Sequence, residues 1–234
     1  MERASLNALI VAVVSVAASV ISAAAYAWNG EDLFFLAALA ALVVVSEVMD
    51  FGAFKSSRIS VSVALIFAAG VFAGLPGAVT IAIVTAVADG IVHPRRPLKS
   101  VFNVGTLVLT AGTFTGFLEA FSGLYDDGDY IAVIGPAMVA GAAAFVVNSG
   151  LVTAAIALDN RLSPFTVWRE NFGWMVPHYV FMGVLAVLVA LSYDRWEIAG
   201  LGISVIPLAM LWLVMKQYAD SPVRPSAVRS GTVA

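Results

Sequence analysis

The chain has 234 residues, 61% hydrophobic and 12% charged, with net charge −3 and mean hydropathy +0.97. A soluble domain carries about 25% charged residues, so this chain cannot clothe a water-facing surface, and it lacks the basic patch that nucleic acid requires. With no Cys there is no disulfide, thiolate metal site or thiol nucleophile, and no polar stretch exceeds about fifteen residues, too little for an extramembrane catalytic domain.

In chain order, Met1-Glu2-Arg3 and an apolar run closing on Ala23-Ala24-Ala25-Tyr26-Ala27 imitate a secretory signal. The run 6–28 is nevertheless long enough to span a bilayer and reads as a first transmembrane helix. Further apolar runs at 33–50, 59–74, 76–92, 100–122, 131–158, 172–193 and 197–217 bring the total to eight segments. The third and fourth are short for a span and are joined by Leu75-Pro76-Gly77, so they form short spans or a re-entrant hairpin. The expected fold is therefore all-α, a polytopic transmembrane helical bundle of about eight membrane segments with both termini cytoplasmic. Residues 1–218 form one transmembrane domain, and the polar, Pro- and Ser-rich 219–234 reads as a disordered cytoplasmic tail.

Orientation follows from the cations. With the N-terminus inside, Arg3, Lys55, Arg58, Arg95, Arg96, Lys99, Arg161, Arg169, Lys216, Arg224 and Arg229 are cytoplasmic, and of the twelve Lys and Arg only Arg195 falls outside. The outer loops hold Glu31, Asp32, Asp126, Asp127, Asp129, Asp194 and Glu197. Gly70-x-x-x-Gly74 and Gly112-x-x-x-Gly116 would let helices approach closely, as contacts within one bundle rather than as a dimer face. No internal repeat supports an inverted-repeat transporter.

Between the sixth and seventh segments lies an elbow, Asn160 to Met182. Ser163 and Pro164 suit a helix N-cap and first helical position. Phe165, Trp168 and Phe172 then recur at helical spacing. This reads as a short helix on the membrane surface, with Trp168 and Trp174 at headgroup level and Arg169 on the wet side. It leads into a span carrying Pro177 and His178.

Ionisable residues inside a bilayer are functional candidates by default. Glu47, Asp50, Asp89 and His178, joined by Asn103 and Asn148, fall in the cytoplasmic third, while Glu119 lies near the outer surface. Glu47 and Asp50 are three apart and share a helical face. These six are the candidate ligand-binding set, a polar pocket open to the cytoplasm for a small cationic or hydrogen-bonding ligand. The structural alternative is that Asp50, Asp89 and His93 mark helix ends and pair with Lys55, Arg58, Arg95 or Arg96. No dense metal-ligand spacing and no hydrolase, nucleotide or dinucleotide motif occurs, so neither a metal, a cofactor nor catalysis is expected. Pro177 and Pro207 free backbone carbonyls inside their spans, as kinks or as cavity walls. His93-Pro94-Arg95-Arg96-Pro97-Leu98-Lys99 suits anionic lipid headgroups.

The runs Arg95-Arg96-Pro97-Leu98-Lys99-Ser100-Val101-Phe102-Asn103, Phe145-Val146-Val147-Asn148-Ser149, Trp168-Arg169-Glu170-Asn171, Trp174 and Pro177-His178-Tyr179 carry a resemblance over roughly residues 35 to 218. The region resembles the bacterial membrane region found in front of HD-GYP phosphodiesterase and GGDEF diguanylate cyclase output domains. That resemblance implies a stand-alone, non-enzymatic sensory or scaffolding module of the bacterial inner membrane. Its implied partners are the lipid bilayer and a separate signalling or transport protein. The HD, GYP and GGDEF signatures are missing from this sequence, so cyclic-di-GMP turnover does not carry over. The bundle is also similar in architecture to the substrate-binding subunits of vitamin transporters, which makes a small-solute transport subunit the alternative.

Overall fold

The computed structural model describes residues 2–30, 33–48, 62–94, 96–124 and 129–220, and among them every regular element is helical. These are α1 (Glu2–Tyr26), α2 (Leu33–Val48), α3 (Ser62–Val92), α4 (Pro97–Ala120), α5 (Tyr130–Asn160), α6 (Pro164–Asn171) and α7 (Val176–Asp220). Five stretches are long and apolar enough to cross a membrane: Ala4–Tyr26, Ser62–Val92, Pro97–Leu124, Tyr130–Asn160 and Val176–Pro207. Leu33–Val48 is a shorter apolar helix. Val44, Val45, Val146, Phe181, Leu188 and Ile203 are exposed, an apolar outside that water would not tolerate over such an area.

Two of the long helices are broken. At Gly74 the backbone takes φ 60 and ψ −155, a conformation open to glycine and hardly to any other residue, and Pro76 follows without an amide hydrogen. A Cβ added at Gly70 would lie 3.4 Å from the Ala78 methyl, and one at Gly77 would lie 2.8 Å from the Ala69 carbonyl oxygen. Residues eight apart in a straight helix are about 12 Å apart, so 62–73 and 75–92 fold back on one another. In α7, Glu197 has φ 49 and ψ −127. A Cβ at Gly200 would collide with the Ser192 carbonyl, so 176–196 and 198–220 fold back in the same way. The sequence boundary at Leu75-Pro76-Gly77 thus becomes a helical hairpin, and a second hairpin turns at the acidic connection after Tyr193.

The first arm of the α3 hairpin is the centre of the bundle. Every residue from Ser62 to Gly70 is buried, as a helix apolar on all sides requires, and α2, α4 and α7 pack around α3. Phe67 stacks on Phe114 of α4 at 4.0 Å and 3°. Ring contacts continue from Phe67 to Tyr179, from Tyr179 to Phe145 and from Phe145 to Trp168, linking α4, α3, α7, α5 and α6. α1 lies on the outside, burying the stripe Ile10, Val13, Ala17 and Ala24. Val13 and Val20 of α1 sit against Gly105 and Gly112 of α4, one small residue per two turns. α5 and α7 cross where Gly141 faces the Tyr179 carbonyl and Gly183 faces the Ala137 carbonyl. Of the sequence glycines, Gly70 and Gly112 make close contacts, Gly74 is the turn itself, and Gly116 meets nothing within 4 Å.

These contacts give the bundle two ends. At one, Phe35 lies 4.5 Å from Phe72 and 4.5 Å from Tyr193, beside the Gly74 turn, the close of α4 and the start of α5. At the other lie His93, Pro97, the close of α5, and α6. Among the described residues helix boundaries lie within about four residues of the apolar runs, with α7 beginning at Val176 rather than 172 and staying helical to Asp220, and the expected ends at 50 and 59 lie outside the described residues. Residues 221–234, the bulk of the expected tail, lie outside the described residues.

Candidate functional site

The α3–α4 connection is short because Pro94 ends one helix and Pro97 occupies the first turn of the next. This brings the last turns of α3 against the first turns of α4. Asp89 is buried, and the Asn103 side-chain amide donates to its Oδ2 at 3.1 Å. One turn on, His93 Nδ1 stands 3.3 Å from Asp89 Oδ1 without hydrogen-bond geometry. That contact becomes an ion pair when the imidazole is protonated. Asp89 and Asn103, read from sequence only as members of one layer, are joined by a direct bond, with His93 as the third member.

Glu47, in the last turn of α2, is 3% exposed. A Cβ added at Gly77 would lie 3.3 Å from Leu36 Cδ2, so Leu36 packs beside Gly77, and α2 and the second arm of α3 both run away from that contact. From Leu36 to Glu47 is about 16 Å of helix and from Gly77 to Asp89 about 18 Å, so the two carboxylates share a depth. Asp50 lies outside the described residues.

Asn148 belongs to a different cluster. Its amide donates to the Tyr179 hydroxyl at 2.5 Å, not to His178, whose ring is half-buried one residue earlier and therefore points about 100° away around the helix. Beside Asn148, the buried Ser149 hydroxyl donates to the Phe145 carbonyl at 2.7 Å and accepts from the Trp168 indole N–H at 3.1 Å. Trp168 is thus tied to α5. In α6 Val167 is buried, while Phe165, Arg169 and Glu170 are exposed. Ser163 and Pro164 occupy the expected cap and first positions, though the Ser163 hydroxyl makes no capping bond. The Trp174 side chain lies outside the description.

The five described candidates thus divide into the Asp89–Asn103 pair with Glu47 at its depth, and Asn148 on the α5–α7 seam with His178 nearby. Sequence reasoning missed Tyr179 and Ser149. Each adjoins a candidate and carries a hydroxyl in an apolar run, which was the available signal. Among the described residues no three His, Asp or Glu side chains gather as a metal site.

A cleft of about 570 Å³ opens at the opposite, Gly74 end. Phe72, Leu75, Leu118 and Val133 form its apolar walls, and Glu119 and Asp129 line it as well. No family model, curated protein or solved structure matches this chain.

Proposed function

We propose that the chain is a multi-pass module of the bacterial inner membrane that crosses the bilayer eight times, counting both arms of each hairpin. Both termini face the cytoplasm, and the module senses or scaffolds without catalysing a reaction. The Pro97 end is the cytoplasmic one in this reading. It holds Arg96, Lys99, Arg161 and Arg169, whereas Glu119, Asp129, Asp194 and Glu197 sit at the Gly74 end, as the positive-inside rule asks.

The observation that carries the function is the Asp89–Asn103–His93 unit. A buried carboxylate at the mouth of a bundle is costly without a use, and here it lies directly behind the basic turn that a partner or ligand would meet. A separate partner protein reads the state of this unit. The test places a photocrosslinking residue at Leu98 in cells and compares Asp89→Asn and His93→Ala with wild type. Loss of one defined partner adduct in both variants is expected, and adducts identical to wild type overturn the reading. The native absence of Cys permits an orientation test. A single Cys at Gly123 should react with impermeant maleimide from outside, and one at Lys99 should not.

One observation favours the alternative of a small-solute transport subunit: the broken backbone at Gly74 lines the cleft, the kind of irregularity tolerated inside a bilayer where it faces a cavity.

A further inference from the structure

We infer that the cleft at the Gly74 end is a binding site for a small organic ammonium ion with an apolar body. It is remote from the Asp89 unit and does not depend on the role proposed for that unit. Its volume of about 570 Å³ lies in the range of small-molecule sites, and its open lining mixes apolar side chains with two exposed carboxylates.

The walls explain the class of ligand. Phe72 and Leu75 come from the hairpin tip, Leu118 from α4 and Val133 from α5, giving an apolar body somewhere to lie. Two carboxylates, Glu119 and Asp129, line the cleft, and no Lys, Arg or His does so among the described residues. Arg195, the cation at this end, faces Asp194 at 4.0 Å instead. The uncompensated charge is therefore negative, against aromatic and aliphatic surface. A bare divalent ion suits it poorly: calcium wants six to eight oxygen ligands, and Asp129 Oδ1 already accepts from the Ala132 amide at 3.1 Å. An ammonium group needs fewer acceptors and gains from a neighbouring ring face.

The test uses the full chain in phosphatidylcholine nanodiscs, whose lipid carries no net charge to concentrate a cation. Calorimetric titration with 2-phenylethylammonium should be saturable at one site, with 2-phenylethanol, its uncharged counterpart, markedly weaker. Glu119→Gln should weaken the amine about fivefold, the loss of one exposed ion pair, and leave the alcohol unchanged. Ala27→Phe, at an exposed lining position, should block both probes. Asp89→Asn, at the far end, should change neither, so this result and the partner-crosslinking result fail separately. Amine and alcohol binding equally, calcium binding in preference to the amine, a Glu119→Gln variant indistinguishable from wild type while Ala27→Phe blocks, or no saturable binding would each overturn the proposal.

Discussion

The Asn148 amide meets the Tyr179 hydroxyl at 2.5 Å, and this bond joins α5 to α7. Gly141 lies on the same face of α5, two turns before Asn148, with its Cα against the Tyr179 carbonyl. The phenol ring also touches Phe145 and Phe67, so one side chain closes a polar seam and completes an aromatic file through the core.

Removing only the hydroxyl should separate these roles. Tyr179→Phe keeps the ring contacts and strands the Asn148 amide, at a cost of about 0.5–2 kcal/mol. Asn148→Leu in the same chain should recover part of that loss, because no donor is then left without an acceptor. Reversible unfolding of the four chains of this cycle in detergent micelles checks it, and additive single effects would refute a direct bond.

Trp168→Phe tests how the elbow is held. Phenylalanine retains contact with Phe145 but not the donation to Ser149, and Ser149 keeps its bond to the Phe145 carbonyl. The expected loss is about 1 kcal/mol, felt locally. Amide exchange over residues 164–171 should quicken several-fold, with exchange in α3 unchanged.

Glycines divide by what faces them. At Gly183 an added methyl runs into the Ala137 carbonyl, whereas at Gly116 it meets nothing within 4 Å. Gly183→Ala should therefore destabilise by about 2 kcal/mol or more, as overpacking against backbone does. Gly116→Ala should be neutral or stabilising by up to about 1 kcal/mol, since alanine favours the helix. Melting temperatures of the two variants in one detergent decide the contrast.

This contrast also marks how far the sequence could be read. Apolar run length located the helices to within about four residues, since burying a helix in lipid demands a contiguous apolar stretch. The break after Gly74 was visible as Leu75-Pro76-Gly77. Which glycines touch was not, because Gly116 and Gly112 look alike in sequence and differ only in what stands opposite. Asp89 and Asn103 were legible as polar residues of one layer near helix ends. The Asn148–Tyr179 and Trp168–Ser149 bonds were not, because each joins residues far apart in the chain through the rotational setting of two helices. The cleft was hidden for the same reason: its walls come from α3, α4 and α5, and Glu119 reads alone as an acid near a surface.

The second hairpin offers a last test. Asp194 and Glu197 were expected in an outer loop, but helix continues on both sides and the reversal falls on Glu197 itself, at φ 49 and ψ −127. An L-residue with a Cβ holds this conformation at a cost of about 1–3 kcal/mol, and glycine adopts it with little strain. Glycine also frees the unfolded chain, which returns part of the gain. The net expectation for Glu197→Gly is a stabilisation of about 1 kcal/mol, and Glu197→Ala, which keeps the Cβ, should give none of it. If both variants melt with the wild type, the turn does not carry backbone strain. If both are equally stabilised, loss of the carboxylate beside Asp194, rather than relief at the backbone, is the cause.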